Sequence, residues 1–80
     1  MEINFKELVG RVYYSFGIKR YKVSNKVSNV PKGTTHWKCG MDSCYHKIDR
    51  DRIYFWHQPN KVWVEVDYEV DLKSFKKIIF

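Results

Sequence analysis

Hydrophobic positions near the start of the chain recur at helical spacing. In the stretch NFKELVGRVYYSFG they would form one apolar stripe, consisting of Phe5, Leu8, Val9, Val12, Tyr13 and Phe16. Asn4 is placed as an N-cap, and Glu7 three residues later completes a capping box. Gly17 is a typical helix-ending residue. The pattern therefore predicts an N-terminal helix that runs from Asn4 to Gly17.

After this stretch the pattern changes to the alternation that is typical of strands. IKRYKVS predicts a short strand, THWKCGMDSCYHKI predicts two short strands around GMDS, and RIYFWHQPNKVWVEVDYEV predicts a longer hairpin. The intervening NKVSNVPKGT is rich in Asn, Ser, Pro and Gly and predicts a loop. In DLKSFKKIIF, an N-cap at Asp71 and an apolar face formed by Leu72, Phe75 and Ile79 predict a short final helix, with a last strand KKIIF as the alternative.

Together these elements predict one α+β domain over residues 1–80. An N-terminal helix would pack on a small antiparallel β-sheet, built of hairpins in a meander, and a short C-terminal helix would follow. The expected core contains apolar residues from both helices and from the long hairpin: Phe5, Leu8, Val12, Ile53, Phe55, Val64, Val66 and Leu72.

The long hairpin has a defined register if Pro59 and Asn60 are its central turn residues. Trp56 then faces Trp63, and the other pairs are His57–Val62, Phe55–Val64, Tyr54–Glu65, Ile53–Val66, Arg52–Asp67 and Arg50–Glu69. Because side chains alternate between the two faces, one face is apolar and is expected to be core: Ile53, Phe55, Val62, Val64 and Val66. On the other face, arginines lie opposite acids, which is a favourable cross-strand pairing.

The aromatic residues Tyr54, Trp56 and Trp63 fall on this charged face. Tryptophan, tyrosine and arginine are enriched among the anchors of protein interfaces. We therefore predict a partner-binding site that consists of Tyr54, Trp56, Trp63, Lys61, Arg50 and Arg52. Two alternatives stay open, because a cross-strand Trp pair stabilises a hairpin by itself, and because the N-terminal helix could bury this face.

The charge is unevenly distributed along the chain. The net charge is +6, and no acid lies between Ile18 and Lys38. A basic segment of this kind predicts a polyanion or an acidic protein surface as partner, although it also suits a solvated surface. Nucleic-acid binding is thus the alternative function, with the aromatics stacking on bases. The residues expected to contact phosphates are Lys19, Arg20, Lys22, Lys26, Lys32 and Lys38.

Two histidines and two cysteines lie within the segment HWKCGMDSCYH. Their spacing matches no common zinc finger. If the segment is a hairpin with Cys39 opposite Cys44, His46 shares their face and His36 points away, so that His57 from the next hairpin could complete a zinc site. A Cys39–Cys44 disulfide and two ordinary thiols are the alternatives, and a cytoplasmic location disfavours the disulfide.

Recognisable catalytic motifs are absent from the sequence, which contains no glycine-rich phosphate loop, nucleophile elbow or zinc-binding helix motif. A chain of 80 residues also rarely forms a deep pocket. We therefore expect a protein that is not an enzyme and has no cofactor. The charged start MEINFKELVGR and the short apolar runs predict no signal peptide, no membrane span and a cytoplasmic location.

Composition gives a further indication of origin. The chain contains no alanine and many Lys, Ile, Phe, Tyr and Asn residues, a bias that AT-rich coding produces. In so small a chain this bias is compatible with a viral or phage accessory protein, although AT-rich cellular genomes produce the same bias. The function expected from the sequence is therefore a small protein-binding module that inhibits or redirects a host macromolecule, either a protein or a nucleoprotein complex.

Overall fold

The computed structural model describes residues 1–15, 19–38 and 44–80. These residues are predominantly β-structure, and the strands are β1 (Glu2–Asn4), β2 (Val12–Ser15), β3 (Lys19–Lys22), β4 (His36–Trp37), β5 (Tyr45–Asp49), β6 (Arg52–His57), β7 (Val62–Glu65) and β8 (Lys76–Ile79). One helical turn, α1 (Phe5–Leu8), follows β1, and 3₁₀ turns cover Val27–Asn29 and Leu72–Ser74. The predicted α+β fold with packed helices is wrong. No helix in the described residues is long and apolar enough to cross a membrane.

Six strands form one mixed sheet in the order β1-β8-β4-β5-β6-β7, and β2 and β3 form a separate antiparallel pair. The strands β4 to β7 follow one another as antiparallel neighbours, so this part of the predicted meander is confirmed. The remainder differs, because β8 is inserted between β4 and β1. It pairs parallel with β1, where Ile3 lies beside Ile78, and antiparallel with β4.

In the described residues, the predicted N-terminal helix is reduced to the single turn Phe5–Leu8, and the predicted positions Phe16 and Gly17 lie outside those residues. Its start is as expected, because the Asn4 side chain accepts a hydrogen bond of 3.0 Å from the Lys6 N–H. Gly10 then adopts a φ of 88°, and its N–H donates to the Val23 carbonyl at 2.9 Å, so the backbone leaves the helical path. The following segment is rich in β-branched and aromatic residues, and it pairs with β3 as a strand.

The predicted final helix is also a single turn. The Asp71 carboxylate caps it by accepting a hydrogen bond of 3.0 Å from the Lys73 N–H. The chain then extends as β8, which is the strand that the sequence left open as an alternative. Ile78 N–H donates to the Thr35 carbonyl at 3.0 Å. Pairing with neighbours on both sides outweighs helix formation in so short a segment, because short helices are marginal without tertiary contacts.

The main core lies between one face of the six-stranded sheet and the β2–β3 pair with α1. Its buried members are Ile3, Phe5, Leu8, Tyr13, Val23, Trp37, Cys44, Tyr45 and Ile78. The ring of Tyr13 stands edge-on to those of Trp37 and Tyr45, at centroid distances of 5.7 and 5.6 Å. Burial raises the pKa of Tyr45 to about 12 and also raises that of Tyr13, because a phenolate is disfavoured in apolar surroundings.

The expected core was only partly correct. Phe5 and Leu8 are buried, whereas Val12, Val64 and Leu72 are exposed, and the residues Ile53, Phe55 and Val66 are half-buried. The difference follows from which face of the hairpin is covered. The main core contacts the face that carries Trp56, so the valine face of β7 stays at the surface.

Candidate functional site

The β6–β7 hairpin forms in the predicted register. Trp56 lies opposite Trp63, flanked by the pairs Tyr54–Glu65, Phe55–Val64 and His57–Val62. The Lys61 N–H donates to the Gln58 carbonyl at 3.2 Å and closes the turn around Pro59 and Asn60. This part of the sequence prediction is confirmed.

The predicted arginine–acid pairs at the far end of the hairpin are not formed by this ladder. Strand β7 ends at Glu65, so Asp67 and Glu69 lie beyond it. Arg52 pairs instead with Asp49 of β5, and Arg50 lies in the β5–β6 turn with a φ of 58°.

The two tryptophans of the hairpin contact each other and the core. Their ring centroids are 5.1 Å apart with an interplanar angle of 66°, a favourable tilted arrangement. The Trp56 Nε1–H donates to Gln58 Oε1 at 2.7 Å, and the Trp56 ring packs against the main core. Both rings are half-buried. The pair thus closes the hairpin and attaches it to the core, while each tryptophan remains partly exposed.

Lys47 of β5 joins this group, although the pattern of the hairpin did not indicate it. It pairs with Tyr54 across the β5–β6 ladder. Its Nζ lies 4.7 Å from the Tyr54 ring centroid and 5.1 Å from that of Trp63. A lysine ammonium so placed is attracted to both rings by about 0.5–1 kcal/mol each where the site is partly exposed. The signal that could have found it is the DRD turn, which sets the β5–β6 register.

The Lys32–Gly33 turn completes the site from a distant part of the chain. The Trp63 Nε1–H donates to the Lys32 carbonyl at 3.2 Å. Gly33 adopts a φ of 96°, and a Cβ at this position would lie 3.4 Å from Lys47 Cδ. We call the combined feature the aromatic surface, defined as Tyr54, Trp56, Trp63, Lys47 and the Lys32–Gly33 turn.

The other predicted partner-binding residues are spread along β6. Arg50 and Lys61 occupy turns at opposite ends of this six-residue strand, which spans roughly 20 Å. Arg50 and Arg52 line a shallow depression of about 400 Å³ together with Asp49 and Asp51. The acids balance the arginines there, so the positive charge beside the aromatic surface comes from lysines.

The six predicted phosphate-contacting residues do not form one patch. Lys19, Arg20 and Lys22 belong to β3, Lys26 and Lys32 lie in the exposed loop, and Lys38 follows β4. The Arg20 guanidinium lies 6.0 Å from the ring of the exposed Tyr14. By contrast, the Lys38 Nζ lies 5.3 Å from the Phe75 ring, which is buried on the opposite face of the large sheet from the aromatic surface.

Within the cysteine and histidine segment, β4 and β5 pair antiparallel in a register that differs by one residue from the predicted one. His36 lies opposite His46, so these two histidines share a face. Cys44 is fully buried in the main core, and Cys39 lies outside the described residues. Within residues 1–15, 19–38 and 44–80, no group of three His, Cys, Asp or Glu side chains could hold a metal ion. The zinc site with His57 stays a prediction.

His36 is held in surroundings that favour its neutral form. Its Nδ1 lies 2.7 Å from the Thr35 hydroxyl, which itself accepts a hydrogen bond of 2.9 Å from the Ile48 N–H. Burial lowers the pKa of His36, and the positive charges of Lys77 and the N-terminus lower it further.

No known protein family, curated protein or solved structure shows significant similarity to this chain.

Proposed function

We propose that this protein is a small, non-enzymatic protein-binding module and that the aromatic surface contacts its partner. One observation supports this most directly. After folding, Tyr54, Trp56 and Trp63 are only half-buried, and they lie side by side on one face of a hairpin. Aromatic side chains held rigidly in this way bury a large area on binding and lose little conformational entropy.

The charge beside the rings indicates the character of the partner. Lys32 and Lys61 are exposed, and Lys47 lies over two of the rings. The whole chain carries a net charge of +6. These charges favour an acidic surface on the partner and accelerate its association. With the AT-rich composition, this supports a viral or phage accessory protein that inhibits or redirects a host protein or nucleoprotein complex in the host cytoplasm.

Nucleic-acid binding is the second candidate, and a specific observation favours it. Besides Lys38 over the buried Phe75, cations lie over rings that are not buried: Lys47 over Tyr54 and Trp63, and Arg20 over Tyr14. Proteins that bind single strands combine basic and aromatic side chains in this way. We rank it second because the basic residues are spread over β3, the loop that follows it and the end of β4 and do not form one patch.

Affinity capture from cell lysate, with and without nuclease, separates the two candidates. The informative variant is Tyr54→Ser, which removes a ring from the aromatic surface. Its matched control is Tyr68→Ser, since Tyr68 is 58% exposed and lies outside that surface. We expect a protein that is retained after nuclease treatment by the native chain and by Tyr68→Ser, but not by Tyr54→Ser. Thermal unfolding of all three should show that the fold is intact.

Other outcomes would contradict the proposal. Retention that disappears with nuclease, and that Arg20→Glu abolishes, would support nucleic-acid binding instead. A partner retained equally by Tyr54→Ser and by Lys47→Glu would show that the aromatic surface is not the contact.

A further inference from the structure

Strand β7 lies at an edge of the six-stranded sheet, and in the described part of the chain its neighbour is β6. The Val66 N–H donates to the Ile53 carbonyl at 2.8 Å. Because bonded and non-bonded pairs alternate along an antiparallel ladder, Val64 also directs its backbone groups toward β6, and Trp63 and Glu65 direct theirs outward. The outer edge of β7 therefore presents backbone donors and acceptors to which another strand can add.

The sequence of this edge is complementary to itself in charge. Residues 61–67 read KVWVEVD, so the basic residue lies at the start and the acids lie at the end. If two copies are aligned antiparallel about Val64, Trp63 of one copy lies opposite Glu65 of the other, and these are the residues whose backbone groups point outward. In the same alignment Lys61, in the turn before β7 of one copy, comes beside Asp67, two residues beyond the end of β7 of the other. Opposite charges that approach across strands are favourable.

The exposed valines of β7 fit the same alignment. Val62 is 46% exposed and Val64 is 37% exposed, on the face that the main core does not cover. In the paired arrangement Val64 meets its own symmetry mate, and Val62 meets Val66 of the second copy. Cross-strand pairs of β-branched residues stabilise a sheet. The pairing would thus cover an apolar stripe that the single chain leaves at its surface.

We propose that two copies of this chain associate through antiparallel pairing of their β7 strands, with a two-fold axis at Val64. Each Trp63–Glu65 pair then exchanges both of its backbone hydrogen bonds. The two sheets become continuous, and the two aromatic surfaces lie on the same side. A contact between strands as short as Val62–Glu65 is small, so the dissociation constant should lie between micromolar and millimolar. This inference is independent of the proposed function.

Sedimentation velocity over a micromolar to millimolar concentration series tests the pairing. The native chain should shift from monomer to dimer as concentration rises. Val64→Lys should stay monomeric, because it brings two ammonium groups together at the two-fold axis. Val27→Lys is the matched control, since it adds the same charge at a valine that is 53% exposed in a 3₁₀ turn, and it should dimerise like the native chain. A native chain that stays monomeric, or a Val64→Lys variant that dimerises as well, would overturn the proposal.

Charge exchange tests the register. Lys61→Asp alone and Asp67→Lys alone each place like charges at both ends of the paired strands, and each should weaken self-association by about tenfold. An equimolar mixture of the two variants should dimerise like the native chain, because each variant then meets the opposite charge. A folding defect could not produce this recovery. A mixture that associates no better than the separate variants would rule out the alignment about Val64.

Discussion

Replacing Gly33 with alanine tests how the Lys32–Gly33 turn is held against the aromatic surface. Gly33 has a φ of 96°, a conformation that residues with a Cβ rarely adopt. The added Cβ would lie 3.4 Å from Lys47 Cδ and 3.8 Å from Trp63 Nε1. These are ordinary contact distances, so the main effect of Gly33→Ala is backbone strain at the point where the turn meets Trp63.

The expected loss can be estimated from the backbone alone. An L-residue in a left-handed conformation costs roughly 1–2 kcal/mol relative to glycine. The free energy of unfolding of a chain this size is about 4–12 kcal/mol, so the loss is a substantial fraction. Each kcal/mol should lower Tm by about 4–8 °C.

Urea unfolding followed by far-UV circular dichroism and tryptophan fluorescence measures this loss. Gly10→Ala is the matched control, because Gly10 has a φ of 88° and its added Cβ would meet nothing within 4 Å. Both variants should lose similar stability, but only Gly33→Ala should alter the native fluorescence, since it disturbs the hydrogen bond from Trp63 to Lys32. Unchanged stability together with native emission in Gly33→Ala would refute the described contact.

Further predictions concern the core and the titrating residues. Leu8→Ala should cost about 2–5 kcal/mol, whereas Leu72→Ala, at 60% exposure, should change stability by only about 0.5 kcal/mol; equal losses in urea unfolding would contradict the assignment of the core. The pKa of His36 is lowered from its ordinary value of 6.5, so the free energy of unfolding should be fully present above pH 6.5 and should fall as the pH drops below 6.5. In a plot of the urea midpoint against pH, His36→Gln should flatten this acidic decline. The pKa of Tyr45 is raised from 10.0 to about 12, so stability present below pH 10 should fall as pH rises toward 12; Tyr45→Phe should reduce this alkaline loss in thermal melts.

The features that the sequence predicted correctly are determined by neighbouring residues. The Pro59–Asn60 turn and the alternation beside it define the β6–β7 register, which placed Trp56 opposite Trp63. The cap at Asn4 was also identified correctly. In each case the interacting groups lie within a few positions of one another, where pattern and geometry are closely coupled.

The prediction of a long N-terminal helix was wrong because two different structures satisfy the same spacing of apolar residues. Phe5 and Leu8 are buried by a single helical turn, and Tyr13 is then buried by a strand. Apolar residues three or four positions apart do not distinguish this arrangement from a continuous helix. The hydrogen bond from the Gly10 N–H to the Val23 carbonyl favours the turn and strand over the continuous helix. Val23 lies in another part of the chain, so the local pattern does not reveal this bond.

The aromatic surface could be predicted only in part for a related reason. Its rings were identified from the hairpin alone. The Lys32–Gly33 turn reaches Trp63 from a position 31 residues away. Which face of the sheet the β2–β3 pair covers also depends on contacts between distant residues. The sequence pattern does not contain this information, and it wrongly assigned the face with Val62 and Val64 to the core.

The position of β8 has a consequence for how the protein forms during synthesis. β1 precedes β4 to β7 in the chain, yet its neighbour in the sheet is β8, at Lys76–Ile79, which follows them. While the ribosome is still adding β4 to β7, these strands can already pair as an antiparallel meander. β1 can join the sheet only after its neighbour β8 has been made. Closing a loop of this length is slow compared with local pairing. We therefore expect the last step in forming this sheet to follow translation of β8, when β8 joins β1 to the completed meander.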